Sequence, residues 1–314
     1  MQLKNPGSIQ TTTNFEVNIY QEENLILKVD PEGLNYKASP GILENVQIIP
    51  ENLKTRQNVP YDFSFETKNA LFLNGDIAIV VPNEIEVDPV SLVFTPLATV
   101  SLTNSIDVTW KESTRTIFIN NAFEDRIPAP TLVRFRIESG LKNSYSTDPI
   151  TPIIVRTLDA DGEIIDEGYS NAIEFTANEI AKIEATACAD KPTASMTEEL
   201  CTYRLKFFVG AQFPILSGSL IEIWLPEDLE IPDRNITTTL SYTDGIADLT
   251  SEVQAASDGK RVWVGGGFVK ASAPNGVDWR QDSFSVYIAG IMTPRSTAPT
   301  LSFRAKVLTS TSYI

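Results

Sequence analysis

The chain has 314 residues, 42% of them hydrophobic and 21% charged, which is enough to fill the cores of two domains of ordinary size. Asp and Glu number 41 against 25 Lys and Arg, so the formal net charge is −16 at pH 7. A surface this acidic disfavours nucleic acid and anionic membranes as partners. The sequence contains no His, which excludes imidazole bases and His-containing triads, and its apolar runs are far too short to span a bilayer.

Alternating apolar and polar residues predict half-buried β-strands along the whole chain. The first lie at residues 15–20 and 25–28, the clearest at residues 61–66 and 132–137, and a late one at residues 284–288. Pro (19) and Gly (16) interrupt such runs at short intervals, which is typical of antiparallel sandwiches and barrels. The sequence therefore predicts an all-β fold of tandem, immunoglobulin-like antiparallel β-sandwich modules.

Internal repeats divide the chain into modules. The motif Leu3-Lys4-Asn5 recurs as Leu141-Lys142-Asn143, and each copy is followed by Ser and then by an alternating strand. Two further pairs of matching segments are residues 61–65 with 203–207 and residues 117–123 with 262–268. The repeat length of about 140 residues is that of one ordinary domain.

These repeats predict three parts. Residues 1–42 are expected to be the closing strands of a preceding module. Residues 43–180 are expected to form one complete sandwich, and residues 181–314 a second sandwich that lacks its last strand.

Closing strands with no module of their own imply a neighbour, because sandwiches do not leave open sheet edges uncovered. Either the chain is a window on a longer tandem array, or its N-terminal strands complete a module in another copy by strand addition. Both alternatives predict head-to-tail contacts with copies of itself or with adjacent modules. The apolar residues expected to make these contacts are Phe15, Val17, Ile19, Leu25 and Leu27.

The aromatic residues of the repeats are candidates for the cores and for ligand binding. Phe118 and Trp263 occupy equivalent positions, so each is expected in the core of its own module, and Trp224 is expected there too. Trp279 lies in a loop rich in Pro, Asn and Gly, where it is a candidate for stacking on sugar rings.

The segment Asp159-Ala160-Asp161-Gly162-Glu163 resembles the opening of a calcium-binding loop. An EF-hand needs Gly at its sixth position and Glu at its twelfth, whereas here Gly162 is fourth and the twelfth residue is Ser170. One interpretation is a tight Asp-Gly hairpin turn. The other is a weak calcium site between modules, formed by Asp159, Asp161 and Glu163, and calcium is the one cofactor that the sequence suggests.

The two cysteines, Cys188 and Cys201, lie beside predicted strands at residues 183–187 and 203–209. A disulfide between them would close a short loop, which stabilises a fold by about 3 kcal/mol and indicates an oxidising compartment. The alternative is two reduced, buried thiols. Asn235-Ile236-Thr237 is a sequon, so Asn235 is a glycosylation candidate in an extracellular protein.

The closing part of each module resembles a recurring element of the very large tandem-repeat surface proteins of ciliated protists. Those proteins show a run like Asn-Pro-x-Ser-Thr, then a strand and an Ile-Asp hairpin, and residues 141–168 follow this order. The nearest runs here are residues 5–8 and 293–297, whereas the proline is missing at Asn143-Ser144. The resemblance implies an extracellular or cell-surface role built on β-sandwich repeats, and it transfers no functional residues.

The leading hypothesis is a non-enzymatic structural protein of an extracellular fibre or surface coat. Its many carboxylate pairs, such as Glu198-Glu199, are interpreted as a solvated face that keeps the protein soluble. A bacterial adhesin or pilus-stalk protein is the first alternative, and a carbohydrate-binding module that uses Trp279 is the second.

Overall fold

Strands account for nearly all of the regular structure of the protein. The computed structural model describes residues 7–13, 17–21, 23–29, 35–97, 102, 107–190, 197–208, 219–233, 236–243, 248–265, 283–295 and 301–308. Over these ranges the only helical element is a 3₁₀ turn at Glu112–Thr114, and no helix is long and apolar enough to cross a membrane. The all-β fold predicted from the alternation is confirmed.

The chain divides into two units, Met1–Thr176 and Ala177–Ile314. The division into three parts at residues 42 and 180 stays a prediction. The strands of the first unit are β1 Val17–Gln21, β2 Asn24–Val29, β3 Gly41–Ile42, β4 Glu44–Pro50, β5 Tyr61–Glu66, β6 Asp76–Val80, β7 Glu86–Val87, β8 Val93–Pro96, β9 Asp107–Lys111, β10 Thr116–Asn120, β11 Leu132–Ser139, β12 Leu141–Lys142, β13 Ile154–Leu158 and β14 Ile164–Tyr169. Those of the second unit are β15 Lys182–Thr186, β16 Leu200–Phe208, β17 Leu220–Trp224, β18 Thr238–Thr243, β19 Asp248–Ser257, β20 Arg261–Gly265, β21 Ser283–Met292 and β22 Arg304–Leu308.

The first unit is a sandwich of a four-stranded sheet, β4-β5-β11-β8, and a six-stranded sheet, β3-β14-β13-β6-β10-β9. Neighbouring strands are antiparallel except β3, which runs parallel to β14. The alternation of β5 places Tyr61, Phe63 and Phe65 in the core, where they meet Ile79 and other residues of the six-stranded sheet. The rings of Phe63 and Phe135 stack with their centroids 4.9 Å apart.

The second unit is one sheet of eight strands in the order β15-β16-β21-β18-β19-β20-β17-β22. Its core joins residues of both halves of this sheet, among them Leu205 and Val286 from one half and Ile223 and Val262 from the other. The sheet therefore folds over on itself as a sandwich, and the β18–β19 pair connects the two halves.

The strand pairing of the second unit follows that of the first. The central pairs β5–β11 and β6–β10 correspond to β16–β21 and β17–β20, and β13 beside β6 corresponds to β22 beside β17. The two units differ beyond these last two strands: in the first unit, β14 pairs with the free side of β13. Among the described residues, no strand occupies the corresponding place beside β22.

The expected core positions of Phe118, Trp263 and Trp224 are wrong. All three side chains are half-buried, whereas their neighbours Ile117 and Val262 are fully buried. Because side chains of a strand alternate between its two faces, burying one residue turns the next one outward. Trp263 and Trp224 instead lie beneath the cations of Arg261 and Lys306, each 5.1 Å from the ring centroid.

The described part of residues 1–42 contacts the first sandwich at both of its ends, and near the first end Gly7 lies close to the ring of Phe72. The backbone N–H of Ile9 donates to the carbonyl of Ile164 over 2.9 Å, and β3 pairs with β14 at Asp166 and Glu167. Between these contacts β1 and β2 form a hairpin with the register Val17↔Val29, and its described backbone pairs only within itself.

Candidate functional surfaces

The acidic turn of the sequence joins β13 to β14 as a hairpin. Gly162 has φ +82°, a left-handed conformation that favours glycine, and its N–H donates to the carbonyl of Asp159 over 3.0 Å. One carboxylate oxygen of Asp159 accepts the backbone N–H groups of Asp161 and Glu163, at 3.0 and 2.9 Å. The Asp159 carboxylate therefore stabilises the turn itself.

The structure brings no metal-binding cluster together at this turn. Over the described ranges, no group of three or more carboxylates and thiols converges as it would around a metal ion. The calcium site at Asp159, Asp161 and Glu163 stays a prediction.

A buried carboxylate that the sequence reasoning missed, Asp166, lies on the strand after this turn. It is fully buried, and its oxygens accept the backbone N–H groups of Lys68 and Asn69 at 3.2 and 3.1 Å and the side-chain N–H of Asn69 at 2.7 Å. A Cβ atom at Gly41 would collide with the Asp166 carboxylate and the Asn69 amide. Glycine at this position therefore allows β3 to approach β14.

The repeated motif Leu141-Lys142-Asn143 ties strand β12 into the first sandwich. Leu141 is buried, and the Lys142 ammonium pairs with Glu86 over 3.1 Å. The Asn143 amide is buried: it donates to the carbonyls of Asn52 and Lys54, each at 2.7 Å, and accepts the Tyr61 hydroxyl at 2.6 Å. Burial raises the pKa of Tyr61 well above its ordinary value of 10.0. The repeat at this place is thus explained by packing.

The two cysteines form a disulfide in the second unit. Their Cα atoms are 4.8 Å apart, and both residues are buried. Cys201 lies inside β16, which starts at Leu200 and so begins earlier than the sequence indicated, while Cys188 follows the end of β15. The bridge therefore fastens an edge strand of the sheet to its neighbour.

Several candidates from the sequence lie outside the described residues. They are the assembly residue Phe15, the glycosylation candidate Asn235 and the loop residue Trp279. Val17, Leu25 and Leu27 are described as backbone of the hairpin, and Ile19 beside them has 49% of its surface exposed.

The outer surface of the second sandwich carries cations and aromatic rings side by side on β15, β16 and β21. Lys182 faces Phe208 across β15 and β16, Glu184 faces Lys206, and on the other side Arg204 faces Tyr287 of β21. We call this surface the basic–aromatic face, and its members are Lys182, Glu184, Arg204, Lys206, Phe208 and Tyr287.

No protein-family model matches the chain, and no curated protein matches it significantly. Among solved structures, it is similar to the C-terminal domain of the Streptococcus pyogenes antigen I/II-family protein AspA, with 9% identity and a TM-score of 0.33 over 85% of this chain and 96% of that chain. It is also similar to the collagen adhesin CNA from S. aureus, with 8% identity and a TM-score of 0.25 over 86% and 89% of the two chains. A type II cohesin dyad from the ScaA scaffoldin of Acetivibrio cellulolyticus matches at 11% identity and a TM-score of 0.24, over 82% and 87%. The fold assignment rests on the strand pairing of this chain itself.

Proposed function

We propose that this chain is part of an extracellular surface protein in which β-sandwich modules join end to end. Its role would be structural or adhesive and not enzymatic. The observation that carries the proposal is the shared strand pairing of the two units, combined with the edge of β22, beside which no strand of the described residues lies as β14 lies beside β13 in the first unit. An uncovered edge presents a row of backbone N–H and C=O groups that a further strand can pair with.

The β1–β2 hairpin is the candidate strand donor. It pairs antiparallel as β13 and β14 do, and its residues Ile19 and Tyr20 are 49% and 59% exposed. Exposed apolar side chains on a hairpin with no other strand partner among the described residues favour a docking role. Contact between the hairpin of one copy and the β22 edge of the next is heterologous, and repetition of this contact from copy to copy would build a head-to-tail array.

The disulfide supports an extracellular location, because such bonds persist in oxidising compartments. The resemblance of residues 141–168 to surface proteins of ciliated protists agrees with the same location and remains part of the proposal.

Cross-linking between differently labelled copies tests this assembly. Chains grown with ¹⁴N and ¹⁵N are mixed at high concentration and cross-linked. We expect mixed-isotope cross-links between peptides from residues 17–29 and peptides from residues 301–308, and concentration-dependent species in sedimentation velocity.

The control distinguishes association through the hairpin from nonspecific association through exposed apolar residues. The double variant Ile19→Asp/Tyr20→Asp should be monomeric, whereas Leu73→Asp/Val90→Asp, which changes exposed apolar residues of the first sandwich by the same charge, should associate like the parent chain. A parent chain that stays monomeric at every concentration, or a hairpin variant that associates normally, would contradict the proposed assembly.

A bacterial adhesin or pilus-stalk protein is the second candidate function. It would share the modular architecture, and the basic–aromatic face favours it because an adhesin needs a surface that binds a ligand.

A further inference from the structure

The basic–aromatic face is a local excess of positive charge on a strongly acidic chain. It holds three cations, Lys182, Arg204 and Lys206, and one carboxylate, Glu184, whereas the whole chain has a net charge of −16. A positive surface of this kind raises the local concentration of anions and steers anionic ligands toward it.

Among the described residues, neither Arg204 nor Lys206 forms a salt bridge with a carboxylate, although Glu184 lies opposite Lys206 on β15. The Arg204 Nε donates to the Ser285 hydroxyl over 3.2 Å, and its guanidinium lies 5.8 Å from the centre of the Tyr287 ring. The Lys206 ammonium lies 4.8 Å from the centre of the Phe208 ring. Contact with an aromatic face orients a cation and leaves its charge available to an anion from outside.

The third cation of the face, Lys182, forms an ion pair with Glu184, and the charges of Arg204 and Lys206 also act on the Glu184 carboxylate. The Lys182 ammonium contacts the Glu184 carboxylate at 2.6 Å. That hydrogen bond lowers the pKa of Glu184, and the charges of Lys206 and Arg204 add to the effect. The positive field of the face therefore extends over β15 as well as β16.

The corresponding face of the first sandwich is neutralised internally. In the β5–β11 pair, Asp62 and Arg136 take the places that Arg204 and Tyr287 occupy in the β16–β21 pair. Arg136 binds Asp62 through two hydrogen bonds of 2.6 and 2.9 Å and contacts Glu51 at 3.3 Å. The same place in the sandwich thus holds a satisfied ion pair in one unit and a cation on an aromatic ring in the other.

The shape and composition of the face indicate the class of anion. Arg204 and Lys206 are alternate residues of one strand, so their side chains emerge about 7 Å apart along a line. Hydroxyl groups adjoin this line, because Thr186 faces Arg204 on one side and Thr239 faces Tyr287 on the other. A thin chain that carries both anions and hydroxyls fits this line, whereas the net charge of −16 disfavours a nucleic-acid duplex.

We propose that the basic–aromatic face binds a linear anionic polysaccharide, whose carboxylate or sulfate groups pair with Arg204 and Lys206 and whose hydroxyls bond to the flanking threonines. The inference does not depend on the head-to-tail assembly, since the face lies on a single unit.

Binding of defined polymers to the full chain tests the proposal. The probes are polygalacturonate, dextran sulfate, uncharged dextran and single-stranded oligo(dT), measured by biolayer interferometry at low and high salt. We expect binding of one or both anionic polysaccharides, none of dextran, and a loss of binding at 1 M salt, where the screening length falls to about 3 Å. The polygalacturonate and dextran sulfate arms distinguish carboxylate from sulfate recognition.

A double variant assigns the binding to the face. Arg204→Asp/Lys206→Ser introduces the residues that the first sandwich holds at the same places, Asp62 and Ser64, and should weaken binding about tenfold or more. Arg134→Asp/Lys111→Ser makes the same change in net charge on exposed positions of the first sandwich and should leave the affinity within about twofold. Circular dichroism and thermal melting verify that both variants fold.

Three results would overturn the proposal. They are a parent chain that binds neither anionic polysaccharide at low salt, an equal loss of binding in both double variants, and tighter binding of oligo(dT) than of either polysaccharide. The last result would assign the face to a phosphate polymer.

Discussion

At the scale of single residues, Asp76 shows how burial shifts the pKa of a carboxyl group at the start of β6. Its carboxylate accepts the backbone N–H of Asn121 over 2.8 Å. Burial raises the pKa of Asp76 above its ordinary value of 3.8; the hydrogen bond from Asn121 opposes this rise, and the nearby charge of Asp159 adds to it. The net direction is upward, so the fold disfavours the charged form.

This shift predicts a pH-dependent gain of stability in Asp76→Asn. A carboxyl whose folded pKa is raised binds more protons folded than unfolded, so the parent chain loses stability as the pH rises from 3.8 through the folded pKa. The amide keeps the acceptor for Asn121 and has no charge to bury. We expect a higher urea midpoint for Asp76→Asn at pH 7 and little difference at pH 3, measured by circular dichroism. A variant that is less stable than the parent at pH 7 would show that the charged carboxylate is favoured.

At the scale of elements, the stability that each residue of β10 contributes depends on whether its side chain points into the core or outward. Ile117 and Ile119 are fully buried, while Phe118 between them is half-buried on the outer face. Replacing Ile117 by Ala should cost about 2–5 kcal/mol, because it opens a cavity in the core. Phe118→Ala should cost clearly less in the same urea titration, although it removes a larger side chain. A greater loss for Phe118→Ala would mean that the strand faces the other way.

The strands themselves could be predicted from the sequence, but the direction of some could not. Residues 61–66 alternate cleanly, so the buried set of β5 follows from the pattern alone. Ile117-Phe118-Ile119 is apolar throughout, and either phase of such a run can face the core. The sequence predicts Phe118 in the core, but Ile117 and Ile119 both pack there and Phe118 between them faces outward.

The candidate surfaces depend on contacts that sequence patterns do not show. The Asp-Gly turn at Gly162 is local and was visible as one of two alternatives. Asp166 instead acts on residues that lie 97 and 98 positions earlier in the chain, so only the sheet topology reveals its role. The basic–aromatic face likewise needs three strands in a known register before its residues become neighbours.

At the scale of the whole molecule, each unit has a hydrophobic core of its own. The core of the first unit includes Ile117, and that of the second includes Ile223 and both cysteines. Because the two cores share no residue, each unit can lose its packing as a cooperative whole.

This separation predicts two unfolding transitions that respond to different changes. In differential scanning calorimetry, Ile117→Ala should lower one transition and Ile223→Ala the other. Reduction of the disulfide should lower only the transition that Ile223→Ala lowers, since both cysteines belong to that core. The bridge spans a sequence separation of 13, and closing a loop of this size constrains the unfolded chain by about 3 kcal/mol. A single transition that both substitutions and reduction lower alike would mean that the two sandwiches unfold as one domain.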